Sequence, residues 1–339
     1  MNELAKPDAL LREQLRGMID GYRVAQVLYV AAELRIADLL KDGSKRASEL
    51  AAATRVDPRA LFRILRALAS MGVLEHRDDE RFALASLGTW LRSDTDESLR
   101  PWTLFSARMY RAWADILESV RTGEGGLGSG HGRHRWERLE ESPDEARVFH
   151  DAMGANSAWL ARAVLDAYDF SSSGNIIDVG GGNGTLIASI LGAYTGLRGV
   201  VFDLPEAIRD AASRLEAAGL AGRYDLRTGS FFDTVPAGGD AYVLSRVLHD
   251  WDDGDTIRIL QSARRAMMPG TTLLIIERLL DPDKPGVEST LSDLSMMLMN
   301  GGCERTSSEF ETLLAAAGFK LARVVMTATP VQILEAVAI

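Results

Sequence analysis

The sequence predicts an α/β protein in two parts: a mainly helical N-terminal region containing a winged helix, then a doubly wound, mostly parallel sheet that ends in an antiparallel hairpin. Three observations carry this reading. Residues 175–185 read N-I-I-D-V-G-G-G-N-G-T, an apolar strand, a glycine turn and the start of a helix. After Gly174, apolar segments of strand length alternate with segments of helix length, which is the pattern of parallel strands joined by crossovers. Only a few residues separate the last two strands, 320–327 and 331–337, too few for a crossover, so these two pair antiparallel.

At 339 residues the chain exceeds what one hydrophobic core usually serves, so more than one domain is expected. It is divided here into residues 1–100, 101–173 and 174–339. A hydrophobic content of 46% and a charged content of 25% are those of an ordinary soluble protein. The net charge of −10 argues against non-specific attraction to nucleic acid or anionic lipid. Cys303 is the single cysteine, which excludes a disulfide framework and a thiolate metal cage. With a polar N-terminus and no membrane-length apolar run, a cytoplasmic location is expected.

From residue 10 to 40 apolar residues recur at spacings of three and four. Residues 24–32 are apolar nearly all round, so this helix needs cover on more than one side. A partner subunit meets that need, as would an ordinary core position. Ser48 is expected to cap a short helix, and Asp57-Pro58 to open another that runs to about Ser70. A charged turn at 77–81 then joins two short extended pieces, giving a winged helix. Arg59, Arg63 and Arg66 line one side of its second helix, the position at which such a motif would read DNA. Residues 1–100 nevertheless hold 16 Lys/Arg against 16 Asp/Glu, a net charge of zero, so a solvated or interface helix is expected.

Residues 99–117 are helical and carry Trp102, Phe105, Tyr110 and Trp113. Residues 123–132, rich in glycine, are expected to be a loop. Ser142-Pro143 opens a helix bearing Phe149, Met153 and Asn156 one turn apart, as core or as the wall of a pocket. Residues 101–173 thus form a helical connector, and 171–174 a linker.

In the second part, strands are expected at 176–179, 199–203, 224–228, 241–244 and 272–277. Helices are expected after 185 and at 205–218, 255–266 and 307–317. Asp178 and Val179 close the first strand. Asp203 ends the second, 19 residues beyond Gly184, about where a carboxylate meets the ribose hydroxyls of a bound nucleoside. The bland alternative is a glycine turn followed by an exposed aspartate. The loop after the fourth strand, residues 245–253, reads S-R-V-L-H-D-W-D-D. It places His249 at the carboxyl edge of the sheet, where a histidine can accept a proton near neutral pH. Glu277 ends the next strand at that edge, and Glu304 precedes the following helix. The trio lacks the H-x-x-E or H-E-x-x-H spacing of a zinc site, and no metal is expected.

These motifs resemble the homodimeric, metal-independent, S-adenosylmethionine-dependent O-methyltransferases, plant phenolic and bacterial natural-product enzymes with a Rossmann-like class I methyltransferase fold. The resemblance covers nearly the whole chain. It runs through the winged-helix region, F-H-D-A-M at 149–153, D-V-G-G-G-N-G at 178–184, V-F-D-L-P at 201–205, L-H-D-W at 248–251 and N-G-G-C-E-R-T at 300–306. It implies that the winged helix dimerises the enzyme and that the acceptor is a small aromatic molecule, with neither nucleic acid nor membrane as partner. It assigns Asp178, Gly180, Gly182, Asp203, Leu204, Ser230, Phe231, Ser245 and Trp251 to the cofactor. Trp113, Phe149, Met153, Asn156, Arg246, Met296 and Asn300 go to the acceptor pocket, and His249, Glu277 and Glu304 to catalysis. Ser230, Ser245 and Arg246 stand where plant members usually have an aspartate, a lysine and an apolar residue, which turns the resemblance toward the bacterial branch. Some relatives there methylate nitrogen, hydroxylate or decarboxylate, and these remain alternatives to O-methylation. A ligand-sensing regulator would need DNA binding by the winged helix. A dehydrogenase is opposed by the terminal hairpin and the His249 loop.

Overall fold

The computed structural model describes residues 5–95, 97–123 and 141–339, the side chains from residue 9 onward. Beyond Gly123, the glycine-rich stretch expected as a loop lies outside the described residues. The chain divides into two compact units, one through Tyr110 and one from Arg111 to Ile339.

In the first unit the helical pattern of 10–40 resolves into three helices, Ala5–Ile19, Gly21–Glu33 and Ile36–Leu40. The last break falls at Arg35, whose φ of 52° is left-handed and stops the preceding helix. The short helix Ala47–Thr54 begins one residue before Ser48, which therefore does not cap it. The Glu49 carboxylate does so instead, accepting the Arg46 N–H at 2.6 Å. Helix Pro58–Ser70 starts as expected, with Asp57 accepting the Ala60 N–H at 2.8 Å. It buries Leu61, Leu65 and Leu68 and leaves Arg59, Arg63 and Arg66 in solvent. Strands β1 (Lys45–Arg46), β2 (Leu74–Arg77) and β3 (Arg81–Leu84) form the wing in the order β1-β3-β2. Leu11, Leu15, Met18, Ile19, Tyr22 and Val24 are exposed, Met18 at 67%, while Ala31 and Ala32 reach the core. The apolar stripe thus extends outward through the first two helices.

In the second unit, strands β4 (Asn175–Val179), β5 (Arg198–Asp203), β6 (Tyr224–Thr228), β7 (Ala241–Ser245), β8 (Thr272–Arg278), β9 (Phe319–Met326) and β10 (Val331–Ala338) form one sheet ordered β6-β5-β4-β7-β8-β10-β9. All neighbours pair parallel except those of β10, which is antiparallel to both β8 and β9. Successive residues of the central strands face opposite cores: Ile176, Val243 and Leu274 on one side, Ile177, Leu244 and Ile275 on the other. Continuous apolar runs therefore suit these strands, because both faces are covered. Two helices differ from expectation. The helix placed at 205–218 is Ala211–Ala217. The Asp203 carboxylate takes the Leu204 N–H at 2.7 Å and the chain turns before it coils. A helix at Val287–Asn300 was not anticipated. Its buried residues are only Met296, Leu298 and Asn300, so its sequence shows no apolar stripe.

Candidate active site

Several of the residues expected to hold the cofactor stand at the carboxyl ends of β4 and β5. Gly180 and Gly182 take φ of 73° and 54°, which a glycine adopts without strain. A Cβ on Gly181 would lie 2.8 Å from the Asp178 carboxyl carbon, so the turn closes down onto that acid. Asp203 is half-buried and accepts the Gly182 N–H at 2.9 Å as well as that of Leu204, tying the glycine turn to the end of β5. Asp178 is 2% exposed and neither of its carboxylate oxygens has a hydrogen-bond partner among the described residues. Burial and the neighbouring Asp203 push it up to about 7. Burial raises Asp203 to about 6, against the two backbone donors. Two acids beside an open glycine turn, one of them unpartnered, fit a nucleoside ligand that offers hydroxyl donors and a positive charge. Leu204, Ser230, Phe231 and Ser245 line the ends of neighbouring strands, all half-buried. Trp251 is buried, edge-on to Phe231 and Phe232 with ring centroids 5.9 and 4.7 Å away.

The structure brings His249, Glu277, Glu304 and Arg246 together. The parallel register of β7 and β8 pairs Ser245 with Ile276, so the turn that follows β7 stands over Glu277. His249 Nδ1 lies 2.6 Å from Glu277 Oε2, while Glu277 Oε1 accepts the Leu248 N–H at 2.9 Å. The Glu277 side chain is wholly buried. The same carboxylate receives Arg246 Nη1 at 3.3 Å, and both Arg246 amino groups reach Glu304 Oε1 at 3.5 Å. Ser292 donates to that oxygen at 2.7 Å, and Asp293 accepts the Glu304 N–H. His249, Glu277 and Glu304 each bring one donor atom within 4.8 Å of the others, close enough to share a cation. A cation already lies against both carboxylates, the Arg246 guanidinium. Burial and Arg246 push the His249 imidazole down, but Glu277 and Asp250 outweigh them and hold it above its ordinary value. Burial works to raise Glu277, yet His249 and Arg246 hold it below the ordinary range.

The residues expected around the acceptor stand on three helices. Pro143–Ala167 buries Phe149, half-buries Met153 and exposes Asn156. Its Gly154 leaves no room for a Cβ, which would fall 2.6 Å from the Asn183 side chain, so this helix seats directly on the glycine turn. Val287–Asn300 supplies buried Met296 and Asn300, whose amide donates to Asp250 beside His249. Trp113 is half-buried on helix Arg100–Ala114.

Two further residues escaped the sequence reading. Arg305, 2% exposed, donates to the Leu248 and Trp251 carbonyls at 3.0 and 2.8 Å and to Asp253 at 2.9 Å, clamping the His249 loop from behind. A Cβ on Gly302 would fall 2.1 Å from the His249 carbonyl oxygen. Both belong to N-G-G-C-E-R-T, and that motif was the only signal. Their burial is a tertiary fact.

This sheet order, with a glycine turn after its first strand, an acid at the end of its second and a histidine after its fourth, defines a class I methyltransferase fold. The O-methyltransferase domain matches residues 113–320 and the O-methyltransferase dimerisation domain residues 17–94. The chain belongs to the O-methyltransferase family and is an enzyme of that type. A phenazine O-methyltransferase of Lysobacter antibioticus is 43% identical over 320 residues, 94% of each chain. The structure of a mitomycin 7-O-methyltransferase superposes with a TM-score of 0.90 at 36% identity, over 98% of this chain and 99% of that one. An O-methyltransferase from neocarzinostatin biosynthesis, in complex with S-adenosyl-L-homocysteine and 1,4-dihydroxy-2-naphthoic acid, superposes at 0.78 with 32% identity, over 93% of this chain and 96% of that one. An 8-amino-8-demethylriboflavin N,N-dimethyltransferase of Streptomyces davaonensis (37% identical; 88% of this chain, 87% of the relative) and an aclacinomycin 10-hydroxylase of Streptomyces purpurascens (35%; 87% and 81%) are also similar.

Proposed function

We propose that the chain methylates a phenolic hydroxyl of a small aromatic natural product, as a homodimer, with S-adenosylmethionine as methyl donor and His249 as general base. One observation carries the reading. Glu277 holds His249 Nδ1 at 2.6 Å, which fixes the proton on Nδ1 and leaves the Nε2 lone pair as the acceptor. Gly180, Gly182 and Asp203 hold the donor, with Asp203 on the ribose hydroxyls and Asp178, Leu204, Ser230, Phe231, Ser245 and Trp251 completing the site. When bound, S-adenosylmethionine supplies a methyl group already activated by its sulfonium charge. The protein's share is therefore alignment of the acceptor oxygen, worth up to about 7–11 kcal/mol, and removal of its proton.

Phe149, Met153 and Met296 wall the ring of the acceptor, and Asn156, Asn300 and Trp113 border it. A phenol, with a pKa of about 10, presents a proton that a raised histidine can take as the oxygen attacks. The imidazolium so formed lies between Glu277 on Nδ1 and Asp250, whose Oδ1 is 3.4 Å from Nε2. The exposed apolar stripe that includes Leu15, Met18 and Ile19, the last two within the dimerisation-domain match from residue 17, supports the homodimer. His249→Ala is expected to lower kcat by about 10²- to 10⁴-fold with donor affinity unchanged in calorimetry. Near wild-type kcat at pH 7 would remove His249 from the mechanism. The N,N-dimethyltransferase relative favours a second reading, an aromatic amine acceptor. A neutral amine attacks through its own lone pair and needs no base beforehand, so the same variant would then lose less than about tenfold.

A further inference from the structure

Arg246, expected among the acceptor-pocket residues, follows β7 and packs against the two carboxylates beside His249. Arg246 has a φ of 57°, a left-handed backbone in a residue with a Cβ, and such strain persists only where the surroundings enforce it. Its N–H is held by the Ile276 carbonyl at 3.0 Å, and its side chain reaches the carboxylate that holds His249. There it meets two carboxylates whose side chains have no exposure, Glu277 and Glu304, while its own is 28% exposed. Its Nη1 shares the very oxygen, Glu277 Oε2, that holds His249 Nδ1. Among the described residues, the other charged groups around the imidazole are acidic or turned away: Asp250 from its own turn, Glu277 from β8, Glu304 from the loop before helix Ser307–Ala316, Asp293 of helix Val287–Asn300 on the Glu304 N–H, and Arg305, which is spent on Asp253 and the Leu248 and Trp251 carbonyls.

We propose that Arg246 is a positioning residue, the built-in cation that neutralises Glu277 and Glu304 together and so keeps the site from trapping the proton that His249 must take up and release. Without it, two buried carboxylates stand beside a neutral imidazole with no compensating charge. Such a cluster titrates as a unit and binds one proton more tightly, whichever atom holds it. A proton shared with Glu277 weakens its grip on Nδ1, and a proton on Nε2 removes the base. Either way the cluster is inert at the pH where the wild type works. This role deepens the reading of His249 as base and rests on it.

Arg246→Gly is the informative variant, because glycine takes this φ without strain and leaves a cavity of guanidinium shape. Arg246→Lys restores the charge in the same place. Histidine-labelled protein, with five histidines to assign, reports the His249 titration by NMR, the signal identified by its loss in His249→Ala. In Arg246→Gly the titration should move to higher pH and kcat at pH 7 should fall by about 10- to 100-fold. Donor affinity should stay within about twofold, and millimolar guanidinium should restore part of the rate. Arg246→Lys should keep both titration and rate near wild type. An unmoved His249 titration in a folded Arg246→Gly protein overturns the inference, as does a rate that guanidinium and lysine both fail to restore. A wild-type kcat in His249→Ala would instead sink the base assignment, and the NMR titration would still decide whether Arg246 sets the proton affinity of the cluster.

Discussion

Glu277→Gln changes one atom in the buried centre of the site, and the structure dictates what that atom must do. The carboxylate accepts at both ends: Oε2 from His249 Nδ1 at 2.6 Å and Oε1 from the Leu248 N–H at 2.9 Å. A glutamine amide has one acceptor and one donor end, so one contact must fail. If its oxygen stays on the Leu248 N–H, its amide donates to Nδ1. The ring then carries its proton on Nε2, and the lone pair meant for the acceptor is gone. If the amide turns over, two N–H groups face each other in the interior, which costs about 1–3 kcal/mol. The lost charge-assisted bond removes a further 1.5–3 kcal/mol or so from the imidazolium state, a factor of about 10 to 100 in rate. We therefore expect kcat to fall by at least about 10²-fold, approaching the His249→Ala loss, with donor affinity intact. The pH profile gives an independent sign. His249 is held above its ordinary value, so kcat/KM should rise with pH through that raised pKa. Removing the Glu277 charge removes a raising influence, and the acid limb should move to lower pH. The assay is steady-state release of S-adenosylhomocysteine against pH, with circular dichroism to confirm folding. A kcat within threefold of wild type together with an unmoved acid limb would refute the reasoning.

Asp203→Ala removes the acceptor of the Gly182 and Leu204 N–H groups along with the proposed ribose contact. Calorimetry should show S-adenosylhomocysteine binding weakened by about 10- to 100-fold, and unchanged binding would end that assignment. Gly302→Ala drives a Cβ to 2.1 Å from the His249 carbonyl and should displace the loop. A kcat loss of about 10²-fold with donor binding retained is expected, and full activity would show that the loop position is uncritical. Light scattering at micromolar concentration should find a particle near twice 36.9 kDa, shrinking when Leu15 and Met18 are made charged. A wild-type monomer would contradict the interface.

The sequence alone determined whatever depends on neighbours in the chain. The short continuous apolar runs of the strands, the period near 3.6 in helix Pro58–Ser70, the Asp57-Pro58 start and the glycine string after β4 are local. Strand positions read from them fall within a residue or two of those observed. Local signals failed where local interactions compete or fade: at Ser48, displaced as cap by Glu49, at 205–210, where Asp203 turns the chain, and along Val287–Asn300, whose apolar face is too sparse to read. His249, Glu277 and Glu304 were legible as a set because the carboxyl edge of a parallel sheet gathers loop residues in a known place. What each one touches was not. Arg246 lies 58 residues from Glu304 and His249 lies 28 from Glu277. Their contacts exist because the β7–β8 register sets Ser245 beside Ile276 and because Arg305 and Gly302 press the following turn into place. Register and close packing depend on the whole folded chain. Which side chains gather at that edge could therefore be read in part from the sequence, Arg305 and Gly302 excepted, while their charge balance was decided only when distant side chains met.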